Sequence, residues 1–320
     1  MLKRYPIIAG ALAGVAMRFV FSGDAGSRWS AMVGAFIFGA PIFVGMLTVY
    51  LAERQRRRSW QYYVGAPFVA TSLFVCGTLL VYIEGLICAI VIVPMFAVLG
   101  AFGGLLMGII CRLTNWPRPT IYCAGAIPVL LAFCAPLIPT PSETGEIDRS
   151  IVIAASPDVV WQALNDIPQI TVDEMDDAYA MRIGVPQPVS GKTEETAEGR
   201  IRRSNWGKQV HFDEVIQDWR PGRYMRWTYR FSADSFPRNA LDDHVVIGGH
   251  YFDLVDTSYS LTAEYGGRST RLSTQVHYRI STQFNLYADW VAQLVLGNLS
   301  ETGLELYKAR SERAAAGEPS

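Results

Sequence analysis

Residues 141–320 contain no cysteine; all five cysteines (Cys76, Cys88, Cys111, Cys123 and Cys134) lie earlier, in or beside long apolar runs. An oxidising compartment would therefore find no pair to join in the later part. No CxxC pair occurs anywhere, which removes the commonest zinc and redox spacings. A phosphate loop, a dinucleotide glycine fingerprint and a Ser-His-Asp arrangement are likewise not evident, so no cofactor is expected. Acids are scarce at the start of the chain. Residues 1–140 hold ten Lys and Arg against three acids (Asp24, Glu53, Glu84), a balance of +7, whereas residues 141–320 hold 18 basic against 26 acidic residues, a balance of −8. That asymmetry points to two domains facing different surroundings.

What the first part has is long uncharged apolar stretch. Runs at about 6–21, 31–51, 60–83, 86–110 and 120–138 approach or exceed the roughly 20 residues that cross a bilayer, predicting a multipass domain over 1–140 with about five spans. The first run is the weakest, because it is short and carries Arg18 near its far end, where the side chain could snorkel. Lys3, Arg4, Arg54, Arg56, Arg57, Arg58, Arg112 and Arg118 fall in alternate loops, and the opposite loops carry only Arg28. The positive-inside rule then puts the basic loops in the cytoplasm and residues 141–320 outside it, as for a bacterial inner-membrane protein with a periplasmic domain. Glu84, followed by Gly85, reads as a carboxylate at a loop end; a proton or ion site is the alternative.

The stretch "PTPSETGEID" (139–148) lacks apolar periodicity, predicting a linker over 141–147. A soluble pattern follows. "RSIVIAA" reads as a strand, and Ser156-Pro157-Asp158 reads as a helix start ahead of Val159, Val160, Ala163 and Leu164. "GRIRRSNWG", "KQVHFDEVI", "YMRWTYRF", "HYFDLVDTSYSLTAEY" and "STRLSTQVHYRI" read as antiparallel strands; in the third, Met225, Trp227, Tyr229 and Phe231 alternate with Arg226, Thr228 and Arg230. A long helix from about Thr282 to Arg313 closes the chain. A bent antiparallel sheet gripping that helix would bury both apolar faces.

The strand leading into "SPDVVWQALNDI", together with "WGKQVHFDEVIQDWRPGRYMRWTY" and "NLSETGLELYKARSE", resembles the SRPBCC superfamily, the START-like proteins that include polyketide cyclases, dehydrases and lipid-transfer proteins. The resemblance implies an α+β helix-grip domain over 148–314, with a short tail at 315–320. It also implies a space between sheet and helix able to hold an apolar ligand.

Candidate site residues come from both lines of reasoning. Trp227, Tyr229, Tyr251 and Tyr259 could line a pocket or simply be core. Arg279 and His250 could hold a ligand headgroup, although a structural pairing suits Arg279 as well. Asp243, His250 and Glu214 are the candidate acids or bases; for Glu214 a solvated surface position is the primary expectation, and an acid in an apolar cavity is the alternative. The segment "LDDHVVIGGHYFDL" (241–254) reads chiefly as a polar cluster anchoring a loop. Its His spacing does not suit metal, so none is expected. "RIRRS" (200–204) is a basic cluster that could touch anionic lipid; nucleic acid is not an expected partner of an acidic domain. The expected function is membrane-anchored binding or transfer of a lipid or other apolar small molecule. The alternatives are a cyclase- or dehydratase-like enzyme and a ligand-responsive sensor.

Overall fold

The computed structural model describes residues 5–114, 118–134, 139–175, 178–237, 240–242 and 244–317. The chain divides into two compact units. Met1–Pro141 with Thr282–Phe284 forms one, and Ser142–Ser281 with Asn285–Ser320 forms the other.

The first unit holds α1 (Tyr5–Val20), α2 (Gly34–Glu53), α3 (Trp60–Leu80), α4 (Leu86–Leu113) and α5 (Arg118–Cys134), one on each apolar run. Three of them, α2, α3 and α4, are long and apolar enough to cross a membrane; α1 is a shorter apolar helix of 16 residues. Each of α2 to α5 carries an internal proline, at Pro41, Pro67, Pro94 and Pro128. Such breaks are tolerated in lipid where nearby groups re-satisfy the backbone. The Thr71 hydroxyl donates to the Pro67 carbonyl at 2.9 Å within the next turn. Helices α2 and α4 cross closely because a Cβ at Gly45 would meet the Gly100 carbonyl, and one at Gly103 the Ile42 carbonyl. Leu12, Phe19, Phe68, Val98 and Phe102 point outward, a surface suited to acyl chains rather than water.

Arg18 does not snorkel. It is buried and donates from Nε to Glu84 Oε1 at 2.6 Å and from Nη1 to the Phe21 carbonyl at 2.7 Å. A paired charge needs no route to the headgroups, so the expectation from its position alone fails. At the last residue of α2, Glu53 is buried and accepts from Tyr63 Oη (2.9 Å), the Arg58 amide (2.6 Å) and Arg57 Nη1 (3.1 Å). That carboxylate fixes the arginine-rich turn between α2 and α3.

In the second unit, β1 (Glu143–Ile153) is followed by α6 (Pro157–Asn165), β2 (Asp166–Ile167), a single 3-10 turn (Asp173–Met175) and α7 (Tyr179–Arg182). Strands β3 (Pro188–Thr196), β4 (Gly199–Trp206), β5 (His211–Arg220), β6 (Tyr224–Arg230), β7 (Phe252–Glu264) and β8 (Ser269–Ile280) precede α8 (Asn285–Ala315). They form one antiparallel sheet in the order β1-β8-β7-β6-β5-β4-β3-β2, which leaves β1 and the two-residue β2 at its edges. Bulges at Pro188/Ser190, Ile216/Asp218 and Leu254/Asp256 bend the strands.

The expected linker over 141–147 is corrected: β1 starts at Glu143, opposite Ile280, and Ile147 is completely buried. Glu143, Glu146 and Asp148 sit on an edge strand with one polar side, so the apolar alternation that marks a strand is missing there. Helix α6 begins as expected, with Ser156 extended at the N-cap position and Pro157 after it, but the serine side chain makes no capping bond. Strand β3, "PVSGKTEET", was not among the expected strands; its polar composition hides it.

One core lies between the sheet, α6 and α8. Ile153, Val160, Leu164, Met225, Leu272 and Leu304 are its fully or nearly fully buried aliphatic members, each worth about 1.5–3 kcal/mol of burial. Helix α8 is also clamped by charge. Glu174, in the 3-10 turn, accepts from Arg310 through both oxygens (Nε 2.9 Å, Nη2 2.7 Å) and from Arg313 Nη2 at 3.3 Å. The Arg310 bonds hold its carboxyl at about 2, well below the usual range, against opposition from burial and with help from the Thr171 amide. A depressed carboxyl contributes stability above its ordinary pKa and loses it as pH falls. Protection of residues 169–175 from hydrogen exchange is therefore expected to hold above about pH 4.5 and to decline towards pH 2. Glu174→Gln should reduce that protection at neutral pH roughly tenfold to hundredfold, about 1.5–3 kcal/mol, and should flatten its pH dependence.

Candidate functional site

Strand periodicity assembles a charged and aromatic row on the sheet face beneath α8. In β4, Arg202 and Ser204 turn inward while Arg203 and Asn205 turn out; in β5, Phe212 and Glu214 turn inward. Arg202 lies directly across from Glu214, and Glu214 directly across from Tyr229. Trp227 is placed opposite Thr257, and Tyr259 opposite Thr274. All of these inward residues except Tyr229 are buried, and Tyr229 is partly so.

The contacts within the row are specific. Ser204 Oγ donates to Glu214 Oε1 at 2.6 Å, and Arg202 Nη1 reaches Glu214 Oε2 at 3.4 Å. Arg202 Nη2 donates to Tyr307 Oη of α8 at 3.2 Å, and its Cζ lies 5.7 Å from the centre of the Trp227 ring. Trp227 stacks on Tyr259 (5.6 Å), which meets Tyr307 edge-on (5.7 Å). Tyr229 Oη shares a 2.6 Å hydrogen bond with Thr257 Oγ1. Among the described residues of the row, Arg202 Nε is left without a hydrogen-bond partner, whereas Trp227 and Thr274 interact with the Tyr229 and Tyr259 phenols. A guanidinium cannot shed its charge by losing a proton, so an unmatched Nε at this depth is costly.

Burial pushes the Glu214 carboxyl upward, with Arg202 and Ser204 working against the shift. Burial also raises the Tyr229 and Tyr259 phenols, which stay protonated. The row thus offers a permanent cation, a carboxyl that resists ionisation and neutral phenols, all within an aromatic wall.

The sequence candidates divide between two places. Trp227, Tyr229, Tyr259 and Glu214 belong to this row. Glu214 is not the solvated carboxylate expected, because it shares strand parity with Phe212 rather than with His211. Arg279, His250 and Tyr251 lie elsewhere, at the end of the sheet where β7 begins. Arg279 donates to the carbonyls of Gly249 (2.9 Å) and His250 (3.4 Å) and to Ser281 Oγ (2.6 Å). It holds the loop before β7. The His250 ring is exposed and packs edge-on against Tyr251 at 4.8 Å. Asp243 lies outside the described residues. The histidines are dispersed: His277 Nδ1 is 2.7 Å from Asp256 Oδ1, and His211 Nε2 is 3.6 Å from Asp234 Oδ2. Among the described residues no group of three His, Cys, Asp or Glu could hold a metal ion.

Arg202, Ser204 and Tyr307 were not among the candidates. The signal was present in "RIRRS": a strand period of two separates Arg202 and Ser204 from Arg203, so a run read as one basic cluster is divided between two faces.

A curled antiparallel sheet holding a long C-terminal helix is a helix-grip fold. No protein-family model and no curated protein matches the chain. Solved structures with a similar trace include the Zhui aromatase/cyclase from Streptomyces sp. R1128 (14% identity, 55% of this chain and 100% of that one, TM-score 0.34). A START superfamily protein from Mycobacterium smegmatis (14%, 53% and 98%, 0.33) and a truncated norcoclaurine synthase from Thalictrum flavum (14%, 52% and 94%, 0.31) are others. At such identities and scores the likeness carries no functional argument, which rests instead on the row itself.

Removing one member of the buried pair should be far worse than removing both. Arg202→Met is expected to destabilise the second unit by about 3–5 kcal/mol, because it strands Glu214, whereas Arg202→Met with Glu214→Leu should recover most of that loss. Pulse proteolysis of the full chain measures the difference.

Proposed function

We propose that the second unit binds an apolar small molecule, a lipid or similar compound, and that the helices of the first unit anchor it to a membrane with the binding domain on the non-cytoplasmic side. The observation that carries the binding reading is the unmatched donor Arg202 Nε inside an aromatic interior. A ligand with an apolar body and a carbonyl, carboxylate or other acceptor end would bury its body against Trp227, Tyr259 and Tyr229 and satisfy that donor. The exposed apolar belt of the helices and the length of α2, α3 and α4 support anchoring, and the arrangement is compatible with five spans. Orientation is supported by the arginines, which fall in alternate loops.

Glu214 favours a second reading. A carboxyl whose affinity for a proton is raised by burial, against the pull of Arg202 and Ser204, suits a general acid such as a cyclase or dehydratase would need. Under that reading Glu214→Gln abolishes turnover and leaves ligand retention intact.

Native mass spectrometry of the full chain released from nanodiscs tests the binding proposal. A retained apolar molecule near one-to-one stoichiometry is expected. Trp227→Phe, which removes the indole N–H and shrinks the ring wall, should weaken retention by roughly fivefold to tenfold, about 1 kcal/mol. An empty protein, or a ligand held equally well by Trp227→Phe, would remove the basis for the acceptor-end reading. A fusion reporter placed after Thr140 tests the topology. Activity confined to a cytoplasm-specific reporter would reverse it.

A further inference from the structure

The outward face of α8 changes character along its length. Leu286, Trp290 and Leu294, spaced four residues apart, are 90%, 56% and 49% exposed, whereas the exposed positions further along the helix are Glu301, Glu305, Ala309 and Arg313 to Ala315, with no large apolar side chain among them. Four-residue spacing puts the three apolar side chains in one stripe. A stripe turned to water along its whole length has no reason to carry large apolar side chains for three turns and only charged or small ones afterwards. Tyr287 adds an aromatic partner, its ring 5.8 Å from that of Trp290.

A second, separate observation concerns the residues just before α8. Thr282–Phe284 count with the helices and not with the sheet. Phe284 packs against the core that contains Phe21, Phe36 and Phe74, and Gln283 accepts from the amide that opens α2. The chain thus leaves the apolar helical unit at Phe284, and the exposed Leu286 follows two residues later. Tryptophan and tyrosine beside leucine, next in sequence to a membrane-embedded segment, are the chemistry of the headgroup region, where an indole buries its ring and keeps its N–H wet.

We infer that the first three turns of α8 are an interfacial anchor, with Leu286, Trp290 and Leu294 set into the headgroup and upper acyl zone of the bilayer. The inference rests on the reading of the first unit as membrane-embedded. The occupant of this stripe is lipid rather than a second copy of the chain. One helix then does two jobs: its inward side closes the aromatic row through Leu304 and Tyr307, and its leading outward side holds the domain to the surface from which an apolar ligand would come.

The test uses the full chain in phosphatidylcholine/phosphatidylglycerol nanodiscs, with and without phospholipids brominated near the headgroup end of the acyl chains. The contribution of Trp290 is the difference in emission between the wild type and Trp290→Phe, and Trp60→Phe supplies the same difference for Trp60, half-exposed at the start of α3. The expected result is a blue-shifted Trp290 component that loses intensity with brominated lipid and resists iodide. If the Trp60 component is quenched by brominated lipid but the Trp290 component is red-shifted and quenched by iodide, the anchor is wrong while the membrane reading stands. A Trp290 component shielded from both quenchers would mean a protein partner covers the stripe, which also overturns the proposal. If neither component responds to brominated lipid, the membrane reading fails and the anchor with it.

Discussion

The concave side of an eight-stranded sheet cannot face water, because every second side chain along β4 to β8 is turned towards it, and α8 is the element long enough to cover that side. Much else in the second unit follows from holding this helix in place. Leu304, Leu306 and Tyr307 meet the core, Glu174 grips two of its arginines, and Arg149 of β1 pairs with Glu301 at 2.7 Å. Tyr278 Oη donates to Asp289 and accepts from Gln293 Nε2, and Ala292 packs beside it, so polar and apolar contacts hold the leading half as well.

A charge held inside such a core needs compensation, and Arg202 receives it unevenly. Glu214 and Tyr307 meet its two terminal nitrogens, while Nε faces the ring wall with no acceptor. Hydrophobic residues of equal size would give comparable stability without that cost.

The helices of the first unit were legible as long uninterrupted apolar runs, and their positions follow the runs closely. The alternation of Met225, Trp227 and Tyr229 was legible for a similar reason, one wet face against one dry. Three things were not. Arg18 is paired with a residue 66 positions away, a contact that no local pattern announces. The start of β1 carries acids because its partner is β8 and its outward side is free, so hydropathy alone describes it as a tether. Glu214 and Arg202 follow strand parity faithfully but are charged, and a charged residue is by default assigned to the surface. The row emerges when parity outranks polarity.

The open sheet has two ends, and each is dressed differently. At β1 the side chains of α8 take up free backbone groups: Gln293 Nε2 donates to the Glu146 carbonyl at 3.1 Å, and the Ala154 amide just after the strand donates to Glu312 Oε1 at 2.9 Å. At the opposite end β2 covers only Gly191 and Lys192 of β3, and beyond them β3 carries Glu194 and Glu195. A bare strand margin would let copies of the protein zip together. Capping one margin with side chains and studding the other with acids keeps neighbouring molecules from annealing into a shared sheet.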